Sequence, residues 1–217
     1  MGSIQTQLIT LLVRLSAVTI LFLAVHAILN RSLEFWYLPW NLGLAWLPVI
    51  FSSLLVSKKR LEQLRILLWV LWLVFLPNAF YVITDMIHIS DQTRLNQTFD
   101  VVLLTLIMGT SFLLGLVSLW QIDQRYWRKL KPERRAGYLV TIATLCGGAV
   151  YIGRELRWNS WDIVVHPLKL MKDLSEVLTT LPMLTALAVS TISFAVCIIL
   201  SYYVFVSFLA LRPSASR

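Results

Sequence analysis

The chain has 217 residues, of which 58% are hydrophobic and 14% charged, with a mean hydropathy of +0.75. Soluble domains carry roughly a quarter charged residues, so this composition excludes an ordinary water-soluble enzyme and points to the bilayer as solvent. The net charge of +8 does not imply nucleic acid, because the lysines and arginines stand in short segments between apolar runs.

Runs of about 20 apolar residues cross a hydrocarbon core of roughly 30 Å as helix and satisfy their own backbone groups. The predicted fold is all-α: a polytopic transmembrane helix bundle of about six spans, with residues 1–217 forming a single transmembrane domain. Cys146 and Cys197 lie deep within apolar runs, which indicates neither a disulfide framework nor a zinc site.

Span one is expected over 8–29, with Arg14 reaching back to the headgroups from inside it. Val25-His26-Ala27 imitates a signal-peptidase site, but the segment before Arg14 lacks Lys and Arg, so retention is expected. Span two, 35–57, enters on Trp36, Tyr37, Pro39 and Trp40, an aromatic belt. Span three, 64–83, contains Pro77, which removes a backbone hydrogen bond and predicts a kink. Asn78 beside it either repairs that ladder or meets a ligand. Span four, 101–120, carries Ser111 and Gly115 on one face, a spacing that lets helices approach closely. A basic loop from Arg125 to Arg135 follows. Span five, 137–153, is rich in small residues and is expected at the centre of the bundle. Over 167–181 the apolar residues Leu168, Met171, Leu174, Leu178 and Leu181 recur at threes and fours behind Pro167, the pattern of a short amphipathic helix. It is too short and too charged to span, so it is laid in the interface before span six, 184–211.

With the amino terminus inside, thirteen of the nineteen Lys and Arg residues fall on the inner side. Both termini are thus expected in the cytoplasm. The outer end receives His26, His88, His166 and eight of the eleven carboxylates, among them Asp85, Asp91, Asp100 and Asp162.

Two polar stretches stand out at that end. In Leu76 to Ser90, Asn78, Tyr81, Asp85 and His88 fall at i, i+3, i+7 and i+10, one stripe if the helix continues. The second is Arg154 to Asp162, RELRWNSWD. Together, FLPNAFYVITDMIH and YIGRELRWNSWDIV resemble a bacterial membrane-protein family, domain of unknown function 1361. The resemblance implies a multi-pass protein of the bacterial plasma membrane and carries no activity. Asn78, Thr84, Asp85, His88, Arg154, Arg157, Asn159 and Asp162 occupy matching positions, whereas Phe80 and Glu155 depart from the pattern.

Asp85, His88 and Asp91, spaced D-x-x-H-x-x-D, offer oxygen and nitrogen ligands to a divalent metal; Asp85 and His88 equally form a hydrogen-bonded pair at a helix end. Asp85, His88 and Asp162 are the candidates for acid-base catalysis. Arg154 and Arg157, with Trp158, Asn159 and Asn78, are the candidates for binding a substrate. Guanidiniums flanked by Trp158 and Trp161 at headgroup depth suit a lipid phosphate, and the competing assignment is an Arg-carboxylate network with Asp85, Glu155 or Asp162. No HExxH, GxSxG or P-loop occurs. Three functions therefore stay open: a site binding or modifying a lipid-linked or anionic substrate at the extracytoplasmic end, a small proton- or cation-coupled transporter or channel-like protein, and a structural or assembly subunit. Membrane lipid is the expected partner and nucleic acid is not, while the cofactor, and whether the protein is an enzyme, are left open.

Overall fold

A computed structural model describes residues 2–31, 33, 35–57, 62–89 and 97–211. The described residues contain helices and turns and no strand. The chain forms two compact units, Met1–Gln121 and Ile122–Arg217, and passes from one to the other within a single helix.

The first unit holds α1 (Gly2–Asn30), α2 (Tyr37–Val56), a 3₁₀ turn (Glu62–Leu64), α3 (Arg65–Tyr81), a second 3₁₀ segment (Val82–Ile89) and all but the last residue of α4 (Gln97–Ile122). The second holds a π-helical turn (Asp123–Trp127), α5 (Pro132–Glu155), α6 (Asp162–Val165), α7 (Pro167–Thr179) and α8 (Leu181–Ala210). Six of these helices, α1 to α5 and α8, are long and apolar enough to cross a membrane. This is the fold of a multi-pass helical membrane protein.

In the first unit α2 packs along α3, and α3 meets α4 where glycine permits it. A Cβ on Gly115 would stand 2.7 Å from the Phe80 ring and 3.1 Å from the Ala79 Cβ. The Phe80 ring thus has a physical role: it is fully buried against a helix that offers no side chain there. In the second unit α5 packs along α8, and α7 folds back on α8 across the extended residue Thr180.

Three expectations change. Helix α5 begins at Pro132, five residues earlier than hydropathy suggests, because proline at the first helical position followed by Glu133 is a strong start signal. Arg134 and Arg135 therefore ride on its first turn rather than in a loop. The most enclosed span is α4, with 61% of its apolar window buried against 33% for α5. Its polar residues explain this, since Asp100, Ser118 and Gln121 are buried and each bonds a neighbouring helix. Finally, α3 tightens into 3₁₀ geometry at Val82. Each 3₁₀ residue turns about 120° instead of 100°, so Asp85 is rotated about 80° from the line an unbroken α-helix would share with Asn78.

Candidate functional site

The polar residues of the first unit pair up. Asp85, only 3% exposed, accepts a hydrogen bond from Asn41 Nδ2 at 3.2 Å, which joins the 3₁₀ segment to the start of α2. His26 Nε2 and Asp100 Oδ1 stand 2.8 Å apart with both side chains 4% exposed, joining α1 to α4. The imidazole lies 4.8 Å from the Phe35 ring and 6.2 Å from the Phe99 ring, and Phe99 stacks on Phe22. An ionisable pair enclosed by aromatic rings persists only because each group satisfies the other.

Asn78 donates from Nδ2 to the Phe75 carbonyl at 3.1 Å, and Thr84 Oγ1 donates to the Tyr81 carbonyl at 2.8 Å. Both side chains bond backbone one turn back, where Pro77 and the change of helical pitch disturb the regular ladder. The side chain of His88 and the whole of Asp91 lie outside the described residues, so the proposed metal set is not described; no group of three or more His, Cys, Asp or Glu fit to hold a metal occurs among the described residues.

The second polar stretch belongs to the other unit. Helix α5 ends at Glu155, and Arg157 follows with φ 57° while the Trp158 N–H turns back to the Ile152 carbonyl at 3.4 Å. Arg154 sits in the last helical turn and Arg157 in a left-handed terminating turn, so the two guanidiniums do not share a helix face. An arginine replaces the glycine usual in such turns and carries strain of about 1 kcal/mol. Arg157→Gly should therefore hold or raise the thermal midpoint in detergent. Arg157→Val, β-branched at a positive φ, should lower stability by about 1–2 kcal/mol relative to the glycine variant.

Beyond the turn, the carboxylates are taken by neutral donors. Asp162 Oδ2 accepts from the Asn159 backbone N–H at 2.7 Å and from its Nδ2 at 3.2 Å, closing the turn that opens α6. Asp173 Oδ2 accepts from Trp158 Nε1 at 3.0 Å, and Lys169 Nζ lies 5.3 Å from the same indole ring. Trp158 is thereby clamped between the α5 terminus and α7. Glu155 is exposed at the end of α5, and neither Arg154 nor Arg157 forms an ion pair among the described residues. Val164, Val165, Leu168, Met171, Leu178 and Leu181 are all exposed along α6, α7 and the start of α8.

A third cluster escapes sequence reasoning. Asp123, 2% exposed on the π-helical turn, accepts from Arg135 Nε at 2.6 Å, from Arg135 Nη2, and from Tyr202 Oη at 2.7 Å. It ties the entry of the second unit to α5 and α8. His26, Asn41 and Asp100 were also missed as partners, although His26 and Asp100 were both assigned to the outer end of the bundle.

A family model described as a protein of unknown function (DUF1361) matches residues 40–212. No curated protein and no solved structure matches the chain.

Proposed function

For a chain that belongs to the DUF1361 family, which carries no activity of its own to transfer, we propose from its own side chains that it binds a phosphate-bearing, lipid-linked anion at headgroup level. The binding groups are Arg154 and Arg157, with Trp158 and Asn159 shaping the turn that follows them. One observation carries this reading: both guanidiniums are without an ion-pair partner among the described residues, while Asp162 and Asp173 beside them are engaged by Asn159 and Trp158. A guanidinium left without a carboxylate at headgroup depth is suited to a phosphate.

The surroundings agree. Helix α7 has 13 residues, too few to span at 1.5 Å per residue, and its exposed Leu168, Met171 and Leu178 need acyl chains as neighbours. The cationic Lys169 and Lys172 stand among them. In this reading residues 1–217 are one transmembrane domain in a bacterial plasma membrane, with both termini cytoplasmic and the Arg154–Asp162 turn outside. The bias of thirteen Lys and Arg residues to one side supports that orientation.

Native mass spectrometry of the protein in mild detergent tests the reading, with phosphatidylglycerol and phosphatidylcholine of matched chains as probes. Each guanidinium contributes about 1 kcal/mol toward an anionic headgroup, so Arg154→Ala/Arg157→Ala should weaken phosphatidylglycerol retention by roughly 30-fold. Phosphatidylcholine should be held alike by both proteins. Equal retention of the two lipids by the wild type, or a double variant that keeps its phosphatidylglycerol, overturns it.

A further inference from the structure

Among the described residues, Arg14 is the one charged side chain exposed on an apolar helix more than two turns from either end. It lies on α1, in the first unit, whereas the anion-binding arginines belong to the second. Cross-helix contacts fix its depth. Thr19 Oγ1 lies 3.3 Å from Thr110 Oγ1 and His26 pairs with Asp100, so α1 and α4 run antiparallel. Thr110 stands thirteen residues before Asp123, where α4 gives way to the π-helical turn, and Arg14 stands five residues before Thr19. At 1.5 Å per residue Arg14 is therefore about 12 Å inside that end of the helix pair. Counted along α1 itself, the exposed Gln7 is seven residues, about 10 Å, away. The Cα–Cβ bond leans toward the amino-terminal end, but an arginine side chain is shorter than either distance, and snorkelling leaves its guanidinium within hydrocarbon.

Nothing in the protein receives this charge. Arg14 forms no ion pair and no hydrogen bond among the described residues. Asp85, Asp100 and Asp123 are buried and bonded to Asn41, His26 and Arg135, and the exposed Glu133 and Glu155 stand at the two ends of α5. A second copy of the chain would bring the same carboxylates and another arginine. The surface around Arg14 suits a helix. Leu11, Val18 and Leu21 are exposed on its stripe, spaced by threes and fours as in the seam of a helix pair. Thr10 and Ala17, one turn to either side, are exposed and small enough for a close approach. Only 17% of the apolar window of α1 is buried, so this face is open to a neighbour.

We infer that this face of α1 docks a transmembrane helix of another protein, one that carries an Asp or Glu at the depth of Arg14. The carboxylate accepts from the guanidinium in a layer poor in water, where a charge-assisted contact is stronger than at a surface. The apolar stripe packs on the partner helix beside it. A lipid phosphate is held at headgroup level, beyond the reach of the side chain, whereas a helix can present a carboxylate at any depth. An ionisable group inside a span is costly unless it is paired in this way.

Energy transfer in phosphatidylcholine liposomes tests this, between the labelled full-length protein and Leu-rich transmembrane peptides with one Glu or one Gln at matching depth. The Glu peptide should associate roughly ten-fold more tightly than the Gln peptide. Arg14→Leu should abolish that preference, and Arg14→Lys, which keeps the charge, should retain part of it. Arg14→Leu places an apolar residue on an apolar surface, so its thermal midpoint should hold or rise, and a lost preference then reads the contact rather than the fold. Equal association of the two peptides with the wild type overturns the inference, as does an undiminished Glu preference in Arg14→Leu. A preference that disappears when phosphatidylglycerol is added to the liposomes would assign Arg14 to headgroup phosphate and overturns it as well.

Discussion

Arg135→Ala is expected to destabilise the protein by about 3 kcal/mol, because it leaves the Asp123 carboxylate enclosed without its cation. Asp123 is 2% exposed and receives both a two-point contact from Arg135 and the Tyr202 hydroxyl. The arginine is 37% exposed, so the opposite truncation differs. In Asp123→Ala the freed guanidinium turns to water, and the loss should be nearer about 2 kcal/mol. Tyr202→Phe removes one hydrogen bond to a charged group and should cost about 1.5 kcal/mol. The Asp123→Ala/Arg135→Ala double variant should resemble Asp123→Ala alone, since no buried charge is left to strand. Reversible unfolding of the purified protein in mixed micelles measures all four. Strictly additive losses, or a loss below about 1 kcal/mol in Arg135→Ala, would show that water reaches Asp123 and that the cluster does not hold the second unit together.

That cluster marks the boundary of what sequence alone reveals. Hydropathy places all six spans and the interfacial helix, because twenty apolar residues in a row have few alternatives as structure. It cannot see that Asp123, flanked by Gln121, Gln124 and Arg125, is enclosed, since the same run reads as a solvated helix end. The available signal was Pro132: a helix starting there brings Arg135, twelve residues on, back toward Asp123. His26 and Asp100 show a different limit. Their shared side of the membrane follows from counting spans, but 74 positions separate them, and no periodicity specifies a partner on another helix. The Asn78 to His88 stripe fails for a third reason. VITDMIHI repeats its apolar residues in a way that suits three residues per turn as well as 3.6, and the choice of 3₁₀ geometry turns Asp85 toward Asn41. The arginines of the second stretch were legible as residues; that neither forms an ion pair among the described residues was not.

Gly147→Ala and Gly148→Ala, adjacent in α5, are expected to change stability in opposite directions. A Cβ on Gly147 would stand 2.5 Å from the Thr191 carbonyl oxygen and 3.0 Å from its Cα. Both atoms are backbone of α8, so no side chain can rotate aside and the two helices must separate along their contact. Overpacking of this kind costs about 1–3 kcal/mol, and here it loosens the face that buries Ala143, Cys146 and Val150, so the upper end is expected. At Gly148 the new Cβ would lie 3.6 Å from Thr191 Oγ1, an ordinary contact. Alanine is a better helix former than glycine by about 1 kcal/mol, so Gly148→Ala should be neutral or stabilising. Small residues in a membrane helix are often treated as one class that favours close packing; this pair separates a glycine needed for helix approach from one that is merely tolerated. Unfolding midpoints of the two variants in the same micelles decide it. A Gly147→Ala protein as stable as wild type would mean that α5 and α8 do not approach as closely as described.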